Sequence, residues 1–133
     1  ASDVYKRQEL ARLANKNALY LRDQLSEFND FKMMNKKLLN MLDNLREVYG
    51  SPIKITSSYR SPDHPIEAKK KAPGEHAYGN AVDIASVGGE ATFKLVKAAM
   101  DVGFTRIGVS RKNNFVHVGI GYPDAPPITL WTY

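Results

Sequence analysis

Two short alternating segments constrain this fold most: Asn80-Ala81-Val82-Asp83-Ile84 and Phe115-Val116-His117-Val118-Gly119-Ile120. Successive side chains of a strand point to opposite faces, so Val82 and Ile84 share one face and Ala81, Asp83 and Ala85 the other. Likewise Val116, Val118 and Ile120 oppose Phe115, His117 and Gly119. Each segment therefore offers an apolar side to a core and one polar, metal-type group on the reverse. Burying an unpaired carboxylate is costly, so Asp83 inside an apolar strand implies a cation or strong donor beside it. His76, in the turn Pro73-Gly74-Glu75-His76, can bend toward such a strand. Two imidazoles and one carboxylate, with a fourth position left to water, is the arrangement of a catalytic zinc. The plainer alternative is three unrelated surface or hydrogen-bonded groups.

Four runs carry a resemblance: Ser57-Ser58-Tyr59-Arg60-Ser61-Pro62-Asp63-His64, Glu75-His76 through Asp83, Phe104-Thr105-Arg106-Ile107-Gly108, and Phe115-Val116-His117-Val118. In this order they resemble the zinc D-Ala-D-Ala carboxypeptidase family, whose pattern is S-G-Y-R-S-P-x-H, H-x-x-G-x-A-x-D, G-F-x-R-I-G and F-V-H-V-D. The closing Trp131-Thr132-Tyr133 is similar to the family's usual ending, so the likeness spans residues 36 to 133. It implies a small α+β fold shared with the hedgehog signalling domain, and the chain is expected to form a largely antiparallel sheet with helices on one face, preceded by an N-terminal helix read from its own apolar stripe. It also implies one zinc ion on His76, Asp83 and His117, and hydrolysis of D-amino-acid peptides in bacterial cell walls.

By the same likeness Arg60 binds substrate and polarises the scissile carbonyl; a surface salt bridge is its alternative role. Ser58 and Ser61 are supporting donors or turn residues. His64 is a pocket-rim residue, with Pro65 standing where the family usually has asparagine. Tyr78, Trp131 and Tyr133 line the groove or belong to the core. The general base is missing from its usual places. Related enzymes carry an acid three positions before the second zinc histidine or two after it, and this chain has Asn114 and Gly119. Neither shuttles a proton. Glu75, Asp63 and Asp124 are the substitute carboxylates. If the base is lacking, an aspartate at 114 or 119 is expected to raise cleavage.

With 133 residues the chain is one domain. Residues 3 to 28 read as a helix on Leu10, Ala14, Leu21, Leu25 and Phe28, so that 1 to 30 are an accessory or connector segment. A second helix, 32 to 49, carries Met34, Leu38, Met41, Leu42, Leu45, Val48 and Tyr49 and stops at Gly50 and Pro52. Strand 53 to 57, a helical turn at 63 to 70, and a helix at 90 to 102 with Phe93, Val96 and Met100 inward follow. Strands 105 to 109 and 114 to 120 form a hairpin, and the tail is irregular as far as Ile128.

There are no cysteines, which excludes disulfides and thiolate metal sites, and no apolar run approaches the roughly 18 residues of a membrane span. The chain opens at Ala1-Ser2 without methionine, leaving room for a removed leader or a larger parent. A net charge of +5 suits anionic cell-wall polymer or nucleic acid. No aromatic ladder interleaves with Lys69-Lys70-Lys71 or Arg111-Lys112, which counts against single-strand nucleic-acid binding. Two functions remain: a zinc peptidase on peptidoglycan stem peptides, bacterial or phage-borne like an endolysin and acting at the wall, or a zinc-binding scaffold of little activity that serves as a wall-binding or virion module.

Overall fold

In the structure, a computed structural model, residues 33–133 are described. The helix expected at 3 to 28 lies outside them. The first described helix, α1 (Lys36–Tyr49), starts later than its apolar stripe suggests because the Asn35 side chain caps it, accepting from the Lys37 N–H at 2.9 Å. It ends at Gly50, whose φ of 77° is the left-handed conformation that glycine adopts without steric cost. Met34, Leu38, Leu42 and Leu45 are buried, whereas Val48 at the end of the stripe is exposed. The methionines pack with the core, Met34 fully and Met41 partly.

Five strands follow: β1 (Ile55–Ser57), β2 (Ala81–Ala85), β3 (Arg106–Ser110), β4 (Phe115–Gly119) and β5 (Thr129–Thr132). They lie in the order β1-β2-β4-β3-β5. The β1/β2, β2/β4 and β3/β4 pairs are antiparallel, as the alternation suggests, but β5 joins the edge parallel to β3. The tail thus becomes a strand after Ile128, and the sheet is mixed. Between β1 and β2 stand a one-turn helix, α2 (Pro65–Ala68), and a 3₁₀ turn, Glu75–Tyr78.

In helix α3 (Gly89–Asp101) Val96 packs partly buried against the core as expected, but the other two residues do not. Phe93 and Met100 are exposed, and Thr92, Leu95, Ala98 and Ala99 face inward instead. The two alanines admit a close approach to the sheet, while the Thr92 hydroxyl is absorbed by Gly88 O and Ser86 Oγ, both at 2.8 Å. Size misdirects the reading here, since the larger apolar residues lie one position off the buried stripe.

The core joins α1 and α3 to one sheet face through Val82, Ile84, Ile107, Val116 and Val118. Leu38, with 0% exposure, sits at its centre. Leu38→Ala should lower unfolding free energy by about 2–5 kcal/mol in urea titrations, the range for a buried leucine truncation that leaves a cavity. A loss below about 1 kcal/mol would place Leu38 outside the cooperative core.

Candidate metal centre

The reverse face of the sheet carries the site. Cross-strand registry runs Ser57, Asp83, His117, Gly108 and Trp131 in one row over all five strands. Residues in register share a face, so these five stand side by side on the surface away from the core. Gly108 is small for a reason of contact: the Trp131 ring lies over it, and any side chain at 108 would overlap the indole. Trp131 thereby reaches His117, ring centroids 5.0 Å apart.

His76 arrives from the 3₁₀ turn, whose end is set by Gly79 at φ 70°. Its Nδ1 is 2.7 Å from the Ser58 carbonyl, and Arg60 N–H returns a bond to His76 O at 3.2 Å. The turn is thus clamped to the segment after β1. A ring nitrogen facing a carbonyl must carry the proton, which leaves His76 Nε2 with a lone pair. That atom lies 3.3 Å from Asp83 Oδ1, and His117 Nδ1 lies 3.1 Å from the same oxygen. His117 Nε2 faces Glu75 Oε1 at 2.6 Å and is again the protonated side.

Each ring therefore commits its N–H outward and turns its other nitrogen to a shared point with Asp83. The three ligand atoms lie within 4.8 Å of one another, and all three residues are buried. Two nitrogen lone pairs and a carboxylate oxygen repel one another unless a proton or a cation sits between them. Nitrogen and oxygen donors in a three-ligand set fit zinc, while magnesium and calcium favour all-oxygen shells. The residues fit the ion.

Without an ion, protons on the imidazoles take that place beside Asp83. Burial opposes charge on Asp83, yet hydrogen bonds and positive charge from His117 and His76 hold its carboxyl far below the usual carboxylate range. Burial likewise opposes charge on His117, but Asp83 and Glu75 raise its pKa. Glu75 is held below its ordinary value against burial by His117, the Gly121 N–H and Arg106.

Arg60 lies at the edge of this group. Its guanidinium reaches Ser57 Oγ at 3.2 Å, Asp83 Oδ2 at 3.5 Å and Glu67 Oε2 at 3.6 Å. A pocket of about 360 Å³ opens over the site, with Arg60, Lys70, Phe115, Tyr122, Trp131 and Tyr133 around the three ligands and Glu75. The other expected site residues lie elsewhere. Ser58 contributes its buried backbone carbonyl to His76, and Ser61 Oγ accepts from the Asp63 N–H in an exposed turn. His64 caps α2 through Nδ1, accepting from Ile66 N–H at 3.1 Å, and it is Ile66 that reaches the pocket. Tyr78 stacks on Tyr122 outside the lining, centroids 6.0 Å apart. Asp63 and Asp124 are exposed and absent from the lining. Of the three substitute carboxylates, only Glu75 enters the pocket.

Glu67 and Arg106 carry roles that no sequence argument assigned them. Buried Glu67 accepts from Gly74 N–H at 2.9 Å and Lys70 Nζ at 2.7 Å besides meeting Arg60, so it ties the arginine loop to the turn that delivers His76. Nothing in its local sequence marks it. Arg106 has a signal: it is a charged residue inside an alternating strand, as Asp83 is. It is buried, bonded through Nε to Glu75 Oε2 at 3.0 Å and through Nη1 to Pro126 O at 2.6 Å, and lies over the rings of Tyr122 and Trp131.

With this geometry stands one family match: a model described as Peptidase M15 covers residues 6–119, and the chain belongs to that family. The match starts well before residue 36, where the motif likeness begins, and so takes in most of the N-terminal segment. No match among curated proteins accompanies it. The Peptidase M15 family is zinc-dependent, and the His76, Asp83 and His117 group is what this chain offers the ion.

Proposed function

We propose that this protein is a zinc peptidase that cleaves peptide bonds beside D-amino acids in the stem peptides of peptidoglycan, acting at the bacterial cell wall. The observation that carries the reading is the convergence of His76 Nε2, Asp83 Oδ1 and His117 Nδ1 on one point at the floor of a pocket edged by Arg60. Zinc bound there supplies a Lewis acid and a water whose pKa falls toward about 7. The chain's own residues do the rest. Arg60 offers fixed donors to a substrate carbonyl or carboxylate, and Phe115, Trp131 and Tyr133 narrow the access of bulk water. The Tyr133 phenol, protonated at neutral pH as in any tyrosine, is a further hydrogen-bond donor at the pocket's edge. The exposed cations Lys69, Lys71, Arg111 and Lys112 lie outside the pocket and suit anionic wall polymer.

A second reading, the scaffold of little activity, has an observation of its own. Among the described residues every carboxylate near the ligands is engaged: Asp83 with both imidazoles and Arg60, Glu75 with His117, Arg106 and Gly121, and Glu67 with Lys70, Gly74 and Arg60. Digestion of peptidoglycan stem peptides separates the two: the proposal expects zinc-dependent release of D-alanine or of fragments cut beside a D-residue, and the scaffold reading expects neither.

A further inference from the structure

We propose that Glu75 is the positioning residue of His117, held in a space that exists only because residue 119 is glycine. Gly119 stands two register positions from His117 and so on the same sheet face, paired with Arg106 on β3 and Ala81 on β2. A methyl group at position 119 would overlap all three atoms of the Glu75 carboxylate. Glu75 therefore fills, from a different segment, the volume that a side chain on residue 119 would take.

Its oxygens are divided by chemistry. Oε1 accepts from His117 Nε2 at 2.6 Å, while Oε2 accepts from Arg106 Nε at 3.0 Å and Gly121 N–H at 2.7 Å. Three donors meet a group that can only accept, so an ionised carboxylate satisfies all of them. The consequence for His117 is its tautomer and its angle: with the proton on Nε2, Nδ1 is left as the ligand atom. A carboxylate on the far nitrogen of a metal-bound histidine orients the ring and raises its basicity. The two nitrogens open in different directions from the ring, so a carboxylate on Nε2 sits away from the atoms that meet at Nδ1. Glu75 is therefore a positioning residue and not the general base. This inference rests on the zinc reading above only in taking Nδ1 as the ligand atom.

Glu75→Gln keeps the shape and spoils the match. Whichever way the amide is turned, its NH₂ faces either His117 Nε2–H or the Arg106 and Gly121 donors. Zinc affinity by chelator competition should fall about 10–100-fold, the usual cost of losing such an outer partner. Gly119→Ala, which removes no donor or acceptor, should fall in the same range by displacing the carboxylate. Thermal melts of both variants show whether they fold. Long-range nitrogen–proton NMR on the metal-free wild type should find a proton on His117 Nε2, slow to exchange, with a signal displaced in Glu75→Gln. An Nε2 without a proton, or a signal untouched by Glu75→Gln, overturns the proposal, as does zinc affinity within about twofold of wild type in a folded Glu75→Gln protein. If wild type takes up no zinc, the metal reading falls, while the Nε2 proton still decides the role of Glu75.

Discussion

His117→Ala and His76→Ala should each empty the metal centre. Wild-type protein prepared without chelator should hold about one zinc per chain, the stoichiometry of a three-ligand site completed by water. Either variant should lose it, with affinity falling by more than the ~10–100-fold that an outer partner costs. The effect is large because three protein groups converge among the described residues, and removing one leaves an open two-ligand edge. Each variant also strands a partner, since Asp83 Oδ1 meets both imidazoles at 3.1 and 3.3 Å. Metal analysis after dialysis checks the prediction. Retention of zinc in both variants would place the ion elsewhere.

Arg60→Ala should act on turnover rather than metal content. Arg60 touches Asp83 through Oδ2, while Oδ1 faces the imidazoles, so zinc should stay bound. What is lost is a preorganised donor beside the substrate's polar atoms. Removing one such donor costs about 10²–10³-fold in kcat in well-studied hydrolases. Arg60→Lys should recover little of that, because a single ammonium cannot span Ser57, Glu67 and Asp83 as the guanidinium fork does. Stem-peptide turnover at matched zinc content measures both variants. An Arg60→Ala enzyme with unchanged kcat would show that its contacts are purely structural.

The structure gives position 119 a second meaning. Seen as sequence, Gly119 stands where related enzymes carry an acid, and aspartate there is expected to raise cleavage if the base is lacking. In the fold that volume holds the Glu75 carboxylate, so Gly119→Asp would drive out the partner of His117. Asn114 has its own reason. It sits exposed in the turn between β3 and β4 at φ 56°, a left-handed conformation that asparagine tolerates better than most residues. Its carbonyl accepts from Ser86 N–H at 2.8 Å.

These cases show which parts of the molecule were legible. The alternation of side chains along a strand is local, so Val82 and Val116 could be assigned to the core and Asp83 and His117 to the other face from the residues alone. Their direct pairing across β2 and β4 is the simplest way to join two such strands. The arrival of His76 depends on Ser58 O and Glu67, neither of which has a local signal. The role of Glu75 depends on an absence of atoms 44 residues further along, at Gly119. Vacant volume is a property of packing, and no periodicity records it. Helix α3 misleads for the opposite reason: Phe93 and Met100 are apolar, but Thr92, Ala98 and Ala99 are what fit against the sheet.

The most direct test of zinc-dependent cleavage is digestion of purified peptidoglycan by the zinc-loaded protein, with the products identified by mass spectrometry. The expected products are free D-alanine or stem-peptide fragments cut beside a D-residue, abolished by chelation, restored by zinc and missing with His117→Ala. An intact peptidoglycan after prolonged incubation with protein shown to carry its full zinc would contradict the peptidase reading.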